Sequence, residues 1–173
     1  MEHFMELYQT VYADLYRLAY YYMGNAQDAE DAVQDAALAA CEHFDRLKKE
    51  ASFRPWIFRI LVNRCRTVMK KRKRQEIPME EPQELKGQRE TGLESQAEVL
   101  ELLKILSDEE RLIVTMSVFG GYKGEEIARM LHRKHSTVRS RYRRALKKLE
   151  QELLGEQSTG TGGKKRKRKE VRR

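Results

Sequence analysis

From Asn25 to Lys86 the chain contains no glycine, and Pro55 is its only proline before Pro78. A stretch so short of turn formers has to be read as long helices, and the apolar spacing agrees. Leu7, Val11, Leu15, Leu18 and Tyr22 recur at three- and four-residue steps, predicting an amphipathic first helix that ends at Gly24-Asn25. Asn25, with Asp28 three residues on, predicts the cap of a second helix with Ala29, Val33, Ala36, Ala37, Ala40 and Phe44 inward. The other side of that helix carries Asp28, Asp31, Gln34 and Asp35. Ser52 and Pro55 suit the start of a third helix that turns Ile57, Phe58, Leu61, Val62, Cys65, Val68 and Met69 inward. Arg59, Asn63, Arg66, Thr67 and Lys70 fall opposite, and Trp56 falls with them. An indole among cations suits single-stranded nucleic acid, whose bases stack on aromatic rings, although packing beneath the second helix would place it there too.

The second half repeats the pattern in shorter pieces. Residues 98–106 predict a short helix with Val99, Leu102, Leu103 and Leu106 inward. Ser107-Asp108-Glu109-Glu110 is a capping box for a helix carrying Leu112, Ile113, Met116 and Phe119, stopped by Gly120-Gly121. A helix over 125–131, a three-residue turn and a basic helix from His135 to Leu149 follow. Val138, Tyr142, Ala145 and Leu149 face in; Arg139, Ser140, Arg143, Arg144 and Lys147 face out. Short helix, tight turn and longer basic helix form the helix-turn-helix layout, whose second helix enters the DNA major groove. The reading is all-α: a helical domain over 1–74, a flexible acidic linker over 75–96, a helix-turn-helix domain over 97–154 and a disordered basic tail over 155–173.

Charge placement sharpens this. The net charge is +8, yet residues 54–74 carry nine cations and no acid, and residues 129–148 repeat those numbers. The stretches before and between them are acidic, at −6 over 1–53 and −8 over 75–128. Two separate contacts with a polyanion account for such segregation better than two solvated faces. The longest uncharged run, Leu112 to Tyr122, is eleven residues and too short to span a bilayer. The acidic start lacks a secretory signal, and Cys41 and Cys65 lie 24 residues apart with no metal-ligand spacing. A cytoplasmic protein without metal or cofactor is expected. No phosphate-cradling glycine loop or paired nucleophile and base supports an enzyme.

Three segments together resemble the extracytoplasmic-function (ECF) group of bacterial sigma-70 factors over about residues 4–153. Asp28-Ala-Glu-Asp-Ala-Val-Gln-Asp35 resembles the family's polymerase-binding signature. Ser52-Phe-Arg-Pro-Trp-Ile-Phe-Arg-Ile-Leu-Val-Asn63 resembles its −10-recognition helix. Glu125-Glu-Ile-Ala-Arg-Met-Leu131 with Ser136-Thr-Val-Arg-Ser-Arg-Tyr-Arg-Arg-Ala145 resembles its −35 helix-turn-helix. The resemblance implies a non-enzymatic protein with a region 2-like and a region 4-like domain. Its partners would be core RNA polymerase, promoter DNA and an anti-sigma factor, with no small-molecule substrate and no direct membrane insertion. By position, Asp28, Asp31, Gln34 and Asp35 would meet polymerase. Lys48, Phe53, Trp56, Arg59, Asn63, Arg66 and Lys70 would serve the −10 strand. Arg133, Lys134, His135, Ser136, Thr137, Arg139, Ser140, Arg143 and Arg144 would serve the −35 duplex.

The chain departs from the family at Thr67, where an Asp is common, and in the helix-turn-helix turn. There His132 replaces the usual Gly, Arg133 an apolar residue and Lys134 the capping residue, so the cap is expected to move to Ser136. Two other functions fit parts of the sequence. A stand-alone helix-turn-helix regulator would leave the acidic second helix and first basic block unused. A helical RNA-binding scaffold would initiate nothing at promoters. The run Lys164 to Arg173 lies outside the resemblance and reads as a non-specific DNA tether or an inert end.

Overall fold

The computed structural model describes residues 1–75 and 96–160, the last five by backbone alone. The expected linker lies almost wholly outside the described residues, as does the tail beyond 160. Residues 155–160, expected to be disordered, instead continue the last helix, because nothing in the backbone interrupts its hydrogen bonding. Among the described residues there are seven α-helices and no strand. None of them is long and apolar enough to cross a membrane.

In the N-terminal bundle α1 (Glu2–Met23), α2 (Ala26–Glu42) and α3 (Phe53–Gln75) pack against one another. Gly24 closes α1 in the left-handed conformation at φ 71°, which its missing Cβ makes cheap. The Asn25 side chain then accepts from the Asp28 N–H at 2.8 Å and starts α2. Small residues bring α2 close to its neighbours, with Ala29, Ala32, Val33, Ala36 and Ala40 buried. Ala37, expected inside, is only half-buried, because the true stripe is rotated toward Ala32. Two 3₁₀ turns, Phe44–Arg46 and Glu50–Ser52, lead into α3.

The C-terminal bundle contains α4 (Gln96–Lys104), α5 (Asp108–Val118), α6 (Gly124–Leu131) and α7 (His135–Gly160). Leu100, Leu103 and Leu106 anchor α4, so Leu100 takes the buried place expected for Leu102. On so short a helix four apolar residues leave the inward direction ambiguous until neighbours are present. The Ser107–Glu110 capping box forms in both directions. Helix α5 is buried without a break from Glu110 to Met116, because α6 and α7 pack on it from one side and α1 from the other. Even Arg111 is 5 % exposed, its guanidinium donating to Asp108 at 3.0 Å.

Candidate functional site

The first surface is the outer face of α2. Asp31, Gln34 and Asp35 are all exposed there, and the Gln27 side chain donates to Asp31 at 3.1 Å across one helical turn. Leu38, one turn beyond Gln34, is 65 % exposed in the same row and was missed by the sequence reading. Its one-turn spacing from Gln34 puts it on the acidic side of α2 and could have flagged it as exposed. Asp28 does not join this face. Its carboxylate pairs with Arg72 of α3 at 2.8 Å, with both side chains largely buried. Asp28 therefore ties the start of α2 to the end of the basic helix.

The second surface is the outer side of α3. Asn63 and Lys70 are exposed, Arg66 is half-buried and Lys48 is exposed on the loop between the two 3₁₀ turns. Thr67, standing where an Asp is common, donates its hydroxyl to the Asn63 carbonyl at 2.9 Å and so closes on its own helix. Phe53 is not on this surface: it is 2 % exposed, packed edge-on to Phe4 and Phe44 and beside Trp56 at 6.2 Å. The reason is position. As the first residue of α3 it points back into the gap between α1 and the Phe44 turn. Trp56 is half-buried beside it, one part packed against the core and one part exposed.

The third surface is the helix-turn-helix. His132 ends α6 in the left-handed conformation at φ 52°, ψ 47°, the geometry that glycine adopts without strain. The expected cap shift to Ser136 does not occur: the Lys134 carbonyl accepts from the Thr137 and Val138 N–H groups, so α7 starts at His135. The strained His132 absorbs the reversal, and the usual capping position is kept by backbone alone. Lys134, His135, Ser136, Arg139, Ser140, Arg143 and Arg144 are exposed along the start of α7, and Thr137 is half-buried. Arg133 leaves this row for Glu109 at 3.1 Å, where Arg141 also pairs. Beneath them Glu110 accepts from Lys148 at 2.7 Å and locks α7 onto α5. Burial alone would push the Glu110 carboxyl up, but Lys148, the Ser107 N–H and the Ser107 hydroxyl outweigh it and hold the carboxyl below its ordinary range. Among the described residues no group of His, Cys, Asp and Glu is arranged to hold a metal.

The Sigma-70 region 2 family profile matches residues 7–75 and the Sigma-70, region 4 profile matches residues 96–149. The chain is 32 % identical over 158 residues to the ECF RNA polymerase sigma factor SigM of Mycobacterium tuberculosis, covering 91 % of this chain and 80 % of that protein. It is 28 % identical over 143 residues to the RNA polymerase sigma factor SigV of Bacillus subtilis, covering 83 % and 86 %. Its fold matches the sigma factor RpoE, solved in complex with the anti-sigma factor NepR from Bartonella quintana. The TM-score is 0.76 at 24 % identity, over 90 % of this chain and 98 % of that one.

Proposed function

Because the chain belongs to the extracytoplasmic-function group of the sigma-70 family, we propose how its surfaces divide the work of a sigma factor. It binds core RNA polymerase and directs it to promoters for transcription initiation. Asp31, Gln34, Asp35 and Leu38 on α2 form the polymerase face, the leucine supplying the apolar contact and the carboxylates the orientation. Asn63, Arg66, Lys70 and Lys48 with the exposed part of Trp56 hold the melted −10 strand, by phosphate pairing and by stacking worth about 1–3 kcal/mol per base. Phe53 and Asp28 support these faces from inside. In the −35 duplex His135, Ser136 and Ser140 approach base edges, while Lys134, Arg139, Arg143 and Arg144 contact phosphates.

Sigma factors are non-enzymatic initiation factors, and we read this chain the same way. It works in the cytoplasm, where polymerase and DNA are, and an anti-sigma factor is the partner that would restrain it. The linker over 75–96 and the basic run over 164–173 lie outside the described surfaces; the latter would add sequence-independent phosphate contacts.

The observation that carries the reading is the pairing, in one small bundle, of the exposed acidic face of α2 with the basic face of α3. A stand-alone helix-turn-helix regulator needs neither. In vitro transcription from matched promoters, with core polymerase and with or without the chain, tests it. Promoter-specific transcripts that require the chain are the expected result. Duplex binding without any polymerase-dependent transcript would return the helix-turn-helix regulator.

A further inference from the structure

The turn of the helix-turn-helix is held from outside. His132 occupies the left-handed conformation that glycine takes without strain. Lys134, whose side chain has no acceptor to offer, stands where a capping residue would, and only its carbonyl accepts from the Thr137 and Val138 N–H groups. Between them Arg133 donates to the Glu109 carboxylate at 3.1 Å. Arg141, nearly two turns into α7, pairs with the other oxygen of the same group. One carboxylate therefore joins the turn to the helix, and His135, Ser136 and Ser140 lie between its two partners in the chain.

Glu109 is itself fixed. It is the second residue of α5, beside the Glu110 that closes the capping box with Ser107, and its side chain is 29 % exposed. Among the described residues no second carboxylate pairs with Arg133 or Arg141. Arg59 of α3 also reaches this turn, 3.0 Å from the His132 ring nitrogen, but a cation cannot take the place of Glu109. With Lys148 on Glu110, the start of α5 neutralises three of the nine cations in residues 129–148. Arg144, on the same flank of α7 between Arg141 and Lys148, stays exposed.

We infer that Glu109 is a positioning residue for −35 recognition: it holds the turn and the start of α7 in one geometry and keeps Arg133 and Arg141 from pairing with phosphates in any register. The inference rests on the assignment of α7 to the −35 duplex. Phosphate contacts carry no sequence information, whereas contacts to base edges need the helix start in a fixed register. An isolated surface ion pair constrains little, but two guanidinium groups on one partly buried carboxylate form a network that fixes both. Without Glu109, two freed arginines on a looser turn strengthen sequence-independent binding more than base readout.

The test uses the full-length chain, Glu109→Gln, Arg133→Gln and the double variant. Fluorescence anisotropy reads binding to a duplex whose −35 sequence was enriched with the wild-type chain, and to a scrambled duplex, from about 50 to about 300 mM salt. Glu109→Gln should steepen the salt slope on the scrambled duplex by up to about two units, about 0.9 for each freed arginine, and tighten that binding about tenfold at low salt. The matched duplex should gain less, so the ratio of matched to scrambled affinity should fall about threefold. Arg133→Gln should lower the ratio without a steeper slope, because Arg141 keeps its carboxylate. The double variant should show about half the slope gain of Glu109→Gln.

A purely structural role for Glu109 would weaken both duplexes in parallel with no steeper slope, and that result overturns the inference. So does a slope or a ratio left unchanged in Glu109→Gln. If circular dichroism shows that variant unfolded, Arg133→Gln carries the test, and an unchanged ratio there overturns the inference equally. If no −35 sequence can be enriched with the wild-type chain, the −35 assignment itself fails, while the slope comparison still decides whether Glu109 withholds the two arginines.

Discussion

Replacing Glu110 by Gln should cost the protein about 1 kcal/mol, and by Ala about 2 kcal/mol, with a pH dependence that identifies the cause. The side chain is 7 % exposed and serves two partners. It accepts from the Ser107 N–H at 3.0 Å, completing the cap of α5, and from Lys148 at 2.7 Å, fastening α7 to α5. Glutamine keeps the capping bond and loses the charge assistance, which Lys148, 45 % exposed, recovers in part from water. Alanine loses the cap bond as well, a further contribution of about 1 kcal/mol. At roughly 2–4 °C per kcal/mol for a chain of this size, the alanine variant should melt about 4–8 °C lower at pH 7. Burial opposes ionisation of Glu110, but Lys148 and Ser107 outweigh it and hold the folded carboxyl below its ordinary value of 4.5. The contribution is therefore complete above the unfolded value and is lost as pH falls through the lower, folded one. Urea unfolding of wild type and Glu110→Gln from pH 7 down to pH 3 should show two midpoints that converge only at the acid end. Coincident midpoints at pH 7, or a gap that persists unchanged to pH 3, would refute the argument.

Asp31→Lys with Asp35→Lys should abolish capture of core polymerase with helicity unchanged, and Leu38→Ala alone should weaken capture about tenfold; undiminished pull-down by these variants would remove α2 from the interface. Asn63→Ala and Arg66→Ala should impair opening of a duplex promoter in permanganate footprinting while a pre-melted promoter suffers less in initial binding, and equal defects on both templates would point to a structural role. Arg139→Ala should weaken all promoters alike and lower the salt slope by about one unit, whereas Ser136→Ala or Ser140→Ala should reorder promoters by −35 sequence; the reverse pattern means the readout is assigned backwards. His132→Gly should relieve the left-handed strain and raise the unfolding free energy by up to about 1 kcal/mol, and a lower urea midpoint would show that the imidazole contributes more than the strain costs.

The helices, the caps at Asn25 and Ser107 and the charged faces were legible in the sequence because each depends on residues within one or two turns, whereas the cap of α7, expected at Ser136, stayed at Lys134. Asn25 reaches only to Asp28 and Ser107 only to Glu110, and the cations of α3 and α7 repeat at helical spacing on short segments. The helix-turn-helix could be placed for the same reason, and the conformation of His132 follows from a turn of three residues. What the sequence left open were choices between partners distant in the chain. Asp28 shares the acidic side of α2, yet Arg72, forty-four residues later, takes it away from the surface. Phe53 sits in the segment that resembles the −10-recognition helix, but α1 and the Phe44 turn offer it an apolar gap that solvent cannot match. Leu38 has the periodicity of a core residue missed by one position, and only the packing of α1 and α3 on the opposite side leaves it bare. Helix α5 shows the limit most plainly: its local pattern predicts one buried face, whereas two bundles closing on it bury the whole of it from Glu110 to Met116. Local hydrogen bonds and helical period are properties of neighbouring residues and can be read along the chain. Burial belongs to the three-dimensional arrangement, because it depends on which distant surface arrives to exclude water.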